Sequence, residues 1–151
     1  MIFMKICLIA SAGGHLKEIL QLEKWYSHQD RYFVTFARED GLSLSKKEKV
    51  HFVTCPARNP LKFIFNFFQS LKILIKERPD VVISTGADAA LATCYLAKIF
   101  GKKLIYIESF CRPSKPSITG KMVYPIADLF IYQWKEVGKY YPKGKYGGSI
   151  F

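Results

Sequence analysis

Residues 6–15 read Ile-Cys-Leu-Ile-Ala-Ser-Ala-Gly-Gly-His, an apolar run that breaks into a small, glycine-containing turn. A short apolar run bounded by turn residues marks a strand buried on both faces, as in a parallel sheet. A helical pattern follows at once over 16–25, with Leu16, Ile19, Leu20 and Glu23 at helical spacing. Strand, tight turn and helix in that order open a βαβ unit. The alternation then continues along the chain. Apolar runs at 32–36, 50–54, 81–84, 104–107 and 129–132 read as further strands. Helical patterns cover 61–77 and 89–100, stopped by Pro79 and by Gly101 at a C-cap position. Residues 39–49, charged and rich in Ser, read as a loop, as does 111–119. A short helix or turn is expected from Trp134, ahead of a tail rich in Tyr, Gly and Lys. The pattern predicts an α/β fold: a Rossmann-like, doubly wound parallel sheet of about six strands.

The chain has 151 residues, half of them hydrophobic and 23% charged. That is the size of one domain, 1–151, with a substantial core, and the composition excludes intrinsic disorder. Lys and Arg number 23 against 12 Asp and Glu, a net charge of +11, which calls for an acidic partner. The basic residues are scattered, and no RRM, KH or helix-turn-helix signature accompanies them, so no nucleic acid is expected. Cys7, Cys55, Cys94 and Cys111 form no CxxC pair, and none has a His at zinc-ligand spacing. No Asp-x-Asp is present either, so neither a metal nor a cofactor is expected. Free cysteines in apolar runs act as small hydrophobes, consistent with a reduced, cytoplasmic setting. No secretory signal is visible, and the longest apolar segment, 61–75, is too short and too charged to span a bilayer.

In an open parallel sheet, ligands bind beyond the carboxyl ends of the strands. The turns at 11–15, 84–88 and 108–112, distant in sequence, would gather on that rim. The first, Ser-Ala-Gly-Gly-His, opens a helix and can offer backbone N–H groups to an anion. It is also what a plain strand-to-helix turn needs. It matches neither G-x-G-x-x-G nor a Walker A loop. His15 could bind a phosphate, act as acid or base, or be structural. Glu108 ends an apolar strand, either as a capping or ion-pairing group, with Arg112 for example, or as a general base facing the cleft. Asp88 stands where an N-cap belongs.

The 61–77 pattern has an apolar arc wider than the roughly 100° of an ordinary surface helix. Phe63, Ile64, Phe65, Phe67, Phe68 and Ile73 contribute to it, and Arg58, Lys62, Lys72, Lys76 and Arg78 flank it. Burial against the sheet is the plain explanation. A basic amphipathic helix that lies on an anionic membrane face or docks a partner is the functional one. Arg58, Lys62, Phe63, Phe67 and Phe68 are the expected membrane contacts.

Four motifs occur in order: S-A-G-G-H-L-K-E at 11–18, R-P-D-V-V-I-S-T-G at 78–86, I-Y-I-E-S at 105–109 and G-K-M-V-Y-P-I-A-D-L-F-I-Y-Q-W at 120–134. The set resembles the membrane-recruiting subunit family of the two-protein UDP-N-acetylglucosamine transferase of dolichol-linked oligosaccharide synthesis. It equally resembles the family's bacterial capsular and exopolysaccharide biosynthesis counterparts. The resemblance implies a GT-B glycosyltransferase split over two polypeptides, this chain being the N-terminal, acceptor-side half. A separate donor-binding subunit would supply the UDP-sugar, with inversion, to a polyprenyl-diphosphate-linked acceptor. Gly13, Gly14, His15 and Glu18 match the family's short loop, and Glu108 its acidic strand end. Together with Ser11, Gly86 and Arg112 they make the expected acceptor-diphosphate site, with Glu108 or His15 as the base. Family members of eukaryotes carry a membrane anchor; here the basic helix would hold the protein to the cytoplasmic face as a peripheral protein. The alternative expectation is a non-catalytic scaffold that stabilises and localises a partner transferase.

Overall fold

The computed structural model describes residues 3–151. Seven parallel strands form one sheet: β1 (Lys5–Ala10), β2 (Asp30–Thr35), β3 (Val50–Phe52), β4 (Val81–Gly86), β5 (Lys103–Ile107), β6 (Leu129–Tyr132) and β7 (Lys145–Tyr146). Their order is β3-β2-β1-β4-β5-β6-β7, so the winding reverses between β1 and β4. Cys7 pairs with Tyr32 of β2 on one side and Val82 of β4 on the other. The α/β, doubly wound expectation holds, with a seventh strand added from the Tyr- and Lys-rich tail.

The alternation of β1 divides the core in two. Ile6, Leu8 and Ala10 face one layer, with Leu16 and Ile19 of α1 (Gly14–Leu20) and Tyr26 of α2 (Glu23–Tyr26). Cys7 and Ile9 face the other, with Leu74 of α4 (Pro60–Glu77), Cys94, Leu96 and Ala97 of α5 (Ala90–Ile99) and Val123 of α6 (Ile118–Val123). Burial pushes the Cys7 and Cys94 thiols up to about 12, which fits their reading as small hydrophobes.

Three expectations need correction. The helix expected over 16–25 breaks at Gln21 and Leu22, whose N–H groups reach back three residues to Glu18 and Ile19. The break turns Tyr26 inward, edge-on to Phe33. Within the loop expected over 39–49, Glu39–Leu44 form a helix, α3, with Glu39 and Asp40 in its first turn. Gly41 belongs there because an added Cβ would lie 2.5 Å from the Phe36 carbonyl oxygen. The loop expected over 111–119 gives way to α6 at Ile118, where the Ser117 hydroxyl caps the helix by accepting from Gly120 N–H.

The expected C-cap at Gly101 is a Schellman turn: Gly101 N–H bonds Lys98 O, Lys102 N–H bonds Ala97 O, and φ of Gly101 is +68°. Helix α4 opens on Pro60, with the Asn59 side chain accepting from Leu61 and Lys62 N–H.

Candidate active site at the sheet's carboxyl rim

At the reversal between β1 and β4, the turn after each strand leans on the other. The register between the two strands slips at Ala10, which pairs with Gly86. Gly86 has φ +107°, and a Cβ there would meet the Tyr106 hydroxyl at 2.6 Å. Only glycine fits. Gly13, also left-handed at φ +89°, lets α1 start directly after the strand.

His15, in the first turn of α1, is locked by two hydrogen bonds to β4. Its Nδ1 lies 2.9 Å from the Thr85 carbonyl oxygen, and the Thr85 hydroxyl donates back to the His15 carbonyl at 2.6 Å. A carbonyl only accepts, so Nδ1 carries a proton; a neutral ring held this way presents its lone pair at Nε2.

His15 lines a cavity of about 260 Å³ together with Arg58, Asp88, Arg112, Ser117 and Thr119. Arg58 arrives from a turn in which Ala57 and Arg58 both take left-handed φ, 48° and 58°. Such a conformation costs an L-residue about 1–2 kcal/mol, and strain of this kind concentrates at functional sites. Arg58 and Arg112 belong to no ion pair among the described residues. Two guanidinium groups against the single carboxylate of Asp88 leave the cavity net positive beside His15, which suits an anion with several oxygens. Arg58 and Asp88 also line an adjoining apolar groove of about 410 Å³, walled by Pro56, Pro60, Phe63, Ile64 and Leu91.

The cavity's far wall, the segment after β5, is held by two buried carboxylates. Glu108, 1% exposed, accepts from Ser109 N–H at 3.0 Å, Ser117 N–H at 3.0 Å, the Ser117 hydroxyl at 2.7 Å and the Tyr141 hydroxyl. Burial, and then the Glu108 carboxylate, push the Tyr141 phenol well above its ordinary range, so it stays a donor. Glu18, 2% exposed, accepts from the Ser109 hydroxyl, Phe110 N–H and the Gln133 amide. The Gln133 amide also donates to the Glu108 carbonyl at 2.9 Å. Together these bonds pin the segment that carries Arg112, Ser117 and Thr119.

Several expected site residues therefore take other places. Glu108 does not face the cleft and makes no ion pair with Arg112, because its oxygens are occupied by internal donors; it positions the loop. Glu18 does the same and is closed off from the cavity. Ser11, 7% exposed, accepts from Ala89 N–H at 3.4 Å and braces the start of α5. Gly86 lies behind His15. The Gly13 N–H is taken by the Asp40 carboxylate. Gly14 stays open to solvent with nothing within 4 Å of an added Cβ. Asp88 is no N-cap: α5 is preceded by Ala89 without a side-chain cap, leaving Asp88 exposed on the cavity. His15 and Arg112 remain at the cavity, and Arg58, read as a membrane contact, joins them.

On α4 the buried polar residues are Asn66, Ser70 and Glu77. The exposed face carries Leu61, Ile64, Phe65, Phe68 and Ile75. Lys62 and Phe68 lie on the surface as expected; Phe67 packs against the core instead, and Phe63 is half-buried in the groove. Among the described residues no helix is long and apolar enough to cross a membrane.

A parallel sheet of this order, with its cavity at the winding reversal, is a Rossmann-like, doubly wound fold, and solved structures of UDP-sugar enzymes share it. UDP-N-acetylglucosamine 2-epimerase from Rickettsia bellii superposes with a TM-score of 0.80 at 15% identity, covering 99% of this chain and 46% of that one. Acinetobacter baumannii MurG gives 0.74 at 14% identity, covering 88% and 42%. The chain thus spans less than half the length of these two structures. Sequence is more specific. Residues 54–150 match the family described as "Oligosaccharide biosynthesis protein Alg14 like", and the chain belongs to that family. It is 36% identical to the UDP-N-acetylglucosamine transferase subunit alg14 of Schizosaccharomyces pombe, over 92% of this chain and 80% of that protein. It is 28% identical to the mouse subunit of the same name, over 97% and 83%. The resemblance carried by the four motifs is borne out.

Proposed function

We propose that this chain is the acceptor-binding, membrane-recruiting subunit of a split UDP-N-acetylglucosamine transferase, extending a polyprenyl-diphosphate-linked sugar in glycan or polysaccharide biosynthesis. The observation that carries this reading is the meeting of His15, Arg58 and Arg112 around one cavity at the carboxyl rim. Membership of a family whose relatives are named transferase subunits supports the reaction class. A donor-binding partner brings the UDP-sugar to the open side of the cavity, so that neither polypeptide holds a complete site.

Arg58 and Arg112 take the acceptor diphosphate by charge-assisted hydrogen bonds. The acceptor hydroxyl gives its proton to His15 Nε2 as its oxygen bonds to the anomeric carbon. The bond from that carbon to the UDP β-phosphate oxygen breaks on the opposite face, and UDP leaves with inversion. Thr85 holds the ring in register throughout. Glu108, through Ser117 and Tyr141, keeps the loop bearing Arg112 in place. The Leu61, Ile64, Phe65 and Phe68 face of α4, with Lys62, Lys72 and Lys76 about it, lies on the anionic cytoplasmic face as a peripheral contact.

In the two-subunit complex, His15→Ala is expected to lower kcat by about 10²- to 10⁴-fold, the range of general-base loss. Arg112→Ala should raise the acceptor KM by about tenfold or more and leave the UDP-sugar KM in place. Full activity of the His15→Ala complex would remove His15 from the chemistry and return the chain to the scaffold reading.

A further inference from the structure

The polar cavity and the apolar groove adjoin, sharing two wall residues, and the pair suits one amphiphile. Arg58 and Asp88 line both volumes. Beyond them the groove is walled by Pro60, Phe63, Ile64 and Leu91 and measures about 410 Å³, within the range of about 300–1,000 Å³ usual for ligand sites. Ile64 is also half exposed and belongs to the outward face of α4, beside Leu61 and Phe65. The groove therefore leads from the cationic cavity to the apolar surface of the same helix. A ligand that is anionic at one end and apolar in the next stretch matches that sequence of surfaces.

We propose that the groove holds the isoprene units next to the diphosphate, so that the protein, and not only the bilayer, binds the acceptor's prenyl chain. The inference rests on the reading of the cavity as the diphosphate site. It gives the strained turn at Ala57 and Arg58 a second purpose. The turn places a guanidinium at the junction of head and chain, between Pro56 and Pro60, which wall the groove on both sides of it. A charged group there fixes how deep the chain can enter. The first isoprene units lie on Phe63 and Leu91, and the rest of the chain leaves over Ile64 toward the membrane.

Titration calorimetry on the full chain, without membranes, tests this with two probes, farnesyl diphosphate and methyl diphosphate. Burial of a few methylene groups is expected to make the farnesyl probe bind at least about thirtyfold more tightly. Ile64→Ser, at an exposed position that should fold normally, and Leu91→Ser should each cut that preference by about fivefold or more. Arg112→Ala should weaken both probes together. Ile99→Ser, at a still more exposed apolar residue at the end of α5, should leave the preference as it was. Equal affinity for the two probes would overturn the groove while leaving the diphosphate cavity standing. A farnesyl preference untouched by both groove substitutions would place the chain on another surface and overturn it as well. Failure of both probes to bind would remove the diphosphate reading and this inference with it.

Discussion

Helices α4 and α5 pack side by side on the same face of the sheet and differ in how much of their apolar surface they bury. α5 buries Ala90, Ala92, Cys94, Leu96 and Ala97 against the strands. α4 buries the polar Asn66, Ser70 and Glu77 beside Leu74, and leaves Leu61 68%, Phe65 66% and Phe68 61% exposed. The buried polar groups of α4 each have partners. The Asn66 amide donates to Thr54 O at 2.9 Å and the Ser70 hydroxyl to Asn66 at 3.3 Å. Glu77 meets Lys5, Lys49 and His51, each at 2.7 Å. The difference separates the two helices: the sheet determines α5, while the outer face of α4 is the one the proposed membrane contact uses.

Four measurements can break or sharpen that contrast. The largest effect is expected at Leu96→Ala, which should cost about 2–5 kcal/mol in denaturant unfolding, against no more than about 0.5 kcal/mol for Phe68→Ser. Equal losses would erase the distinction between the helices. Asn66→Leu, which adds hydrophobicity to the buried side of α4, should destabilise by about 1–3 kcal/mol because it strips the Thr54 carbonyl of its donor. If it stabilises instead, α4 is an ordinary amphipathic helix. Phe65→Ser with Phe68→Ser should lower binding to anionic vesicles by about tenfold or more without moving Tm; retained binding would put the membrane contact elsewhere.

The last of the four concerns pH. Burial alone would raise the Glu77 carboxyl, but bonds from Lys49, Lys5 and His51 outweigh it and hold it at about 2, against an ordinary 4.5. A depressed carboxyl stabilises the fold above its unfolded value, and that stability is lost as pH falls from about 4.5 toward about 2. Glu77→Gln should flatten the acid limb of the stability curve in that window. An unchanged limb would show that the buried end of α4 is not held by this cluster.

Much of this fold is visible in the residues, because buried parallel strands write themselves as apolar runs and the runs at 6–10, 81–84 and 104–107 each became a strand. The elements that went unread are short or poor in apolar residues. α3 has a glycine in its first turn, Gly41, where contact with Phe36 rather than helix propensity decides. β7 is two residues long and depends on its partner β6. The capping of α6 by Ser117 could have been found from a Ser three residues before Gly120.

The site was half legible. The loops that meet at the rim follow from topology, and His15 and Arg112 with them. The inward turn of Glu18 and Glu108 does not, since a strand-end carboxylate has the same sequence whether it faces a cleft or the Ser117 and Tyr141 hydroxyls. Nor does the arrival of Arg58, which depends on two left-handed residues without glycine.

The most direct test of the account is reconstitution. Transfer of N-acetylglucosamine from UDP-N-acetylglucosamine to a prenyl-diphosphate-linked sugar would be followed with this chain alone, with its donor-binding partner alone, and with both. The account predicts turnover only in the mixture, and its loss when the mixture carries His15→Ala. Sustained transfer by either polypeptide alone would contradict it.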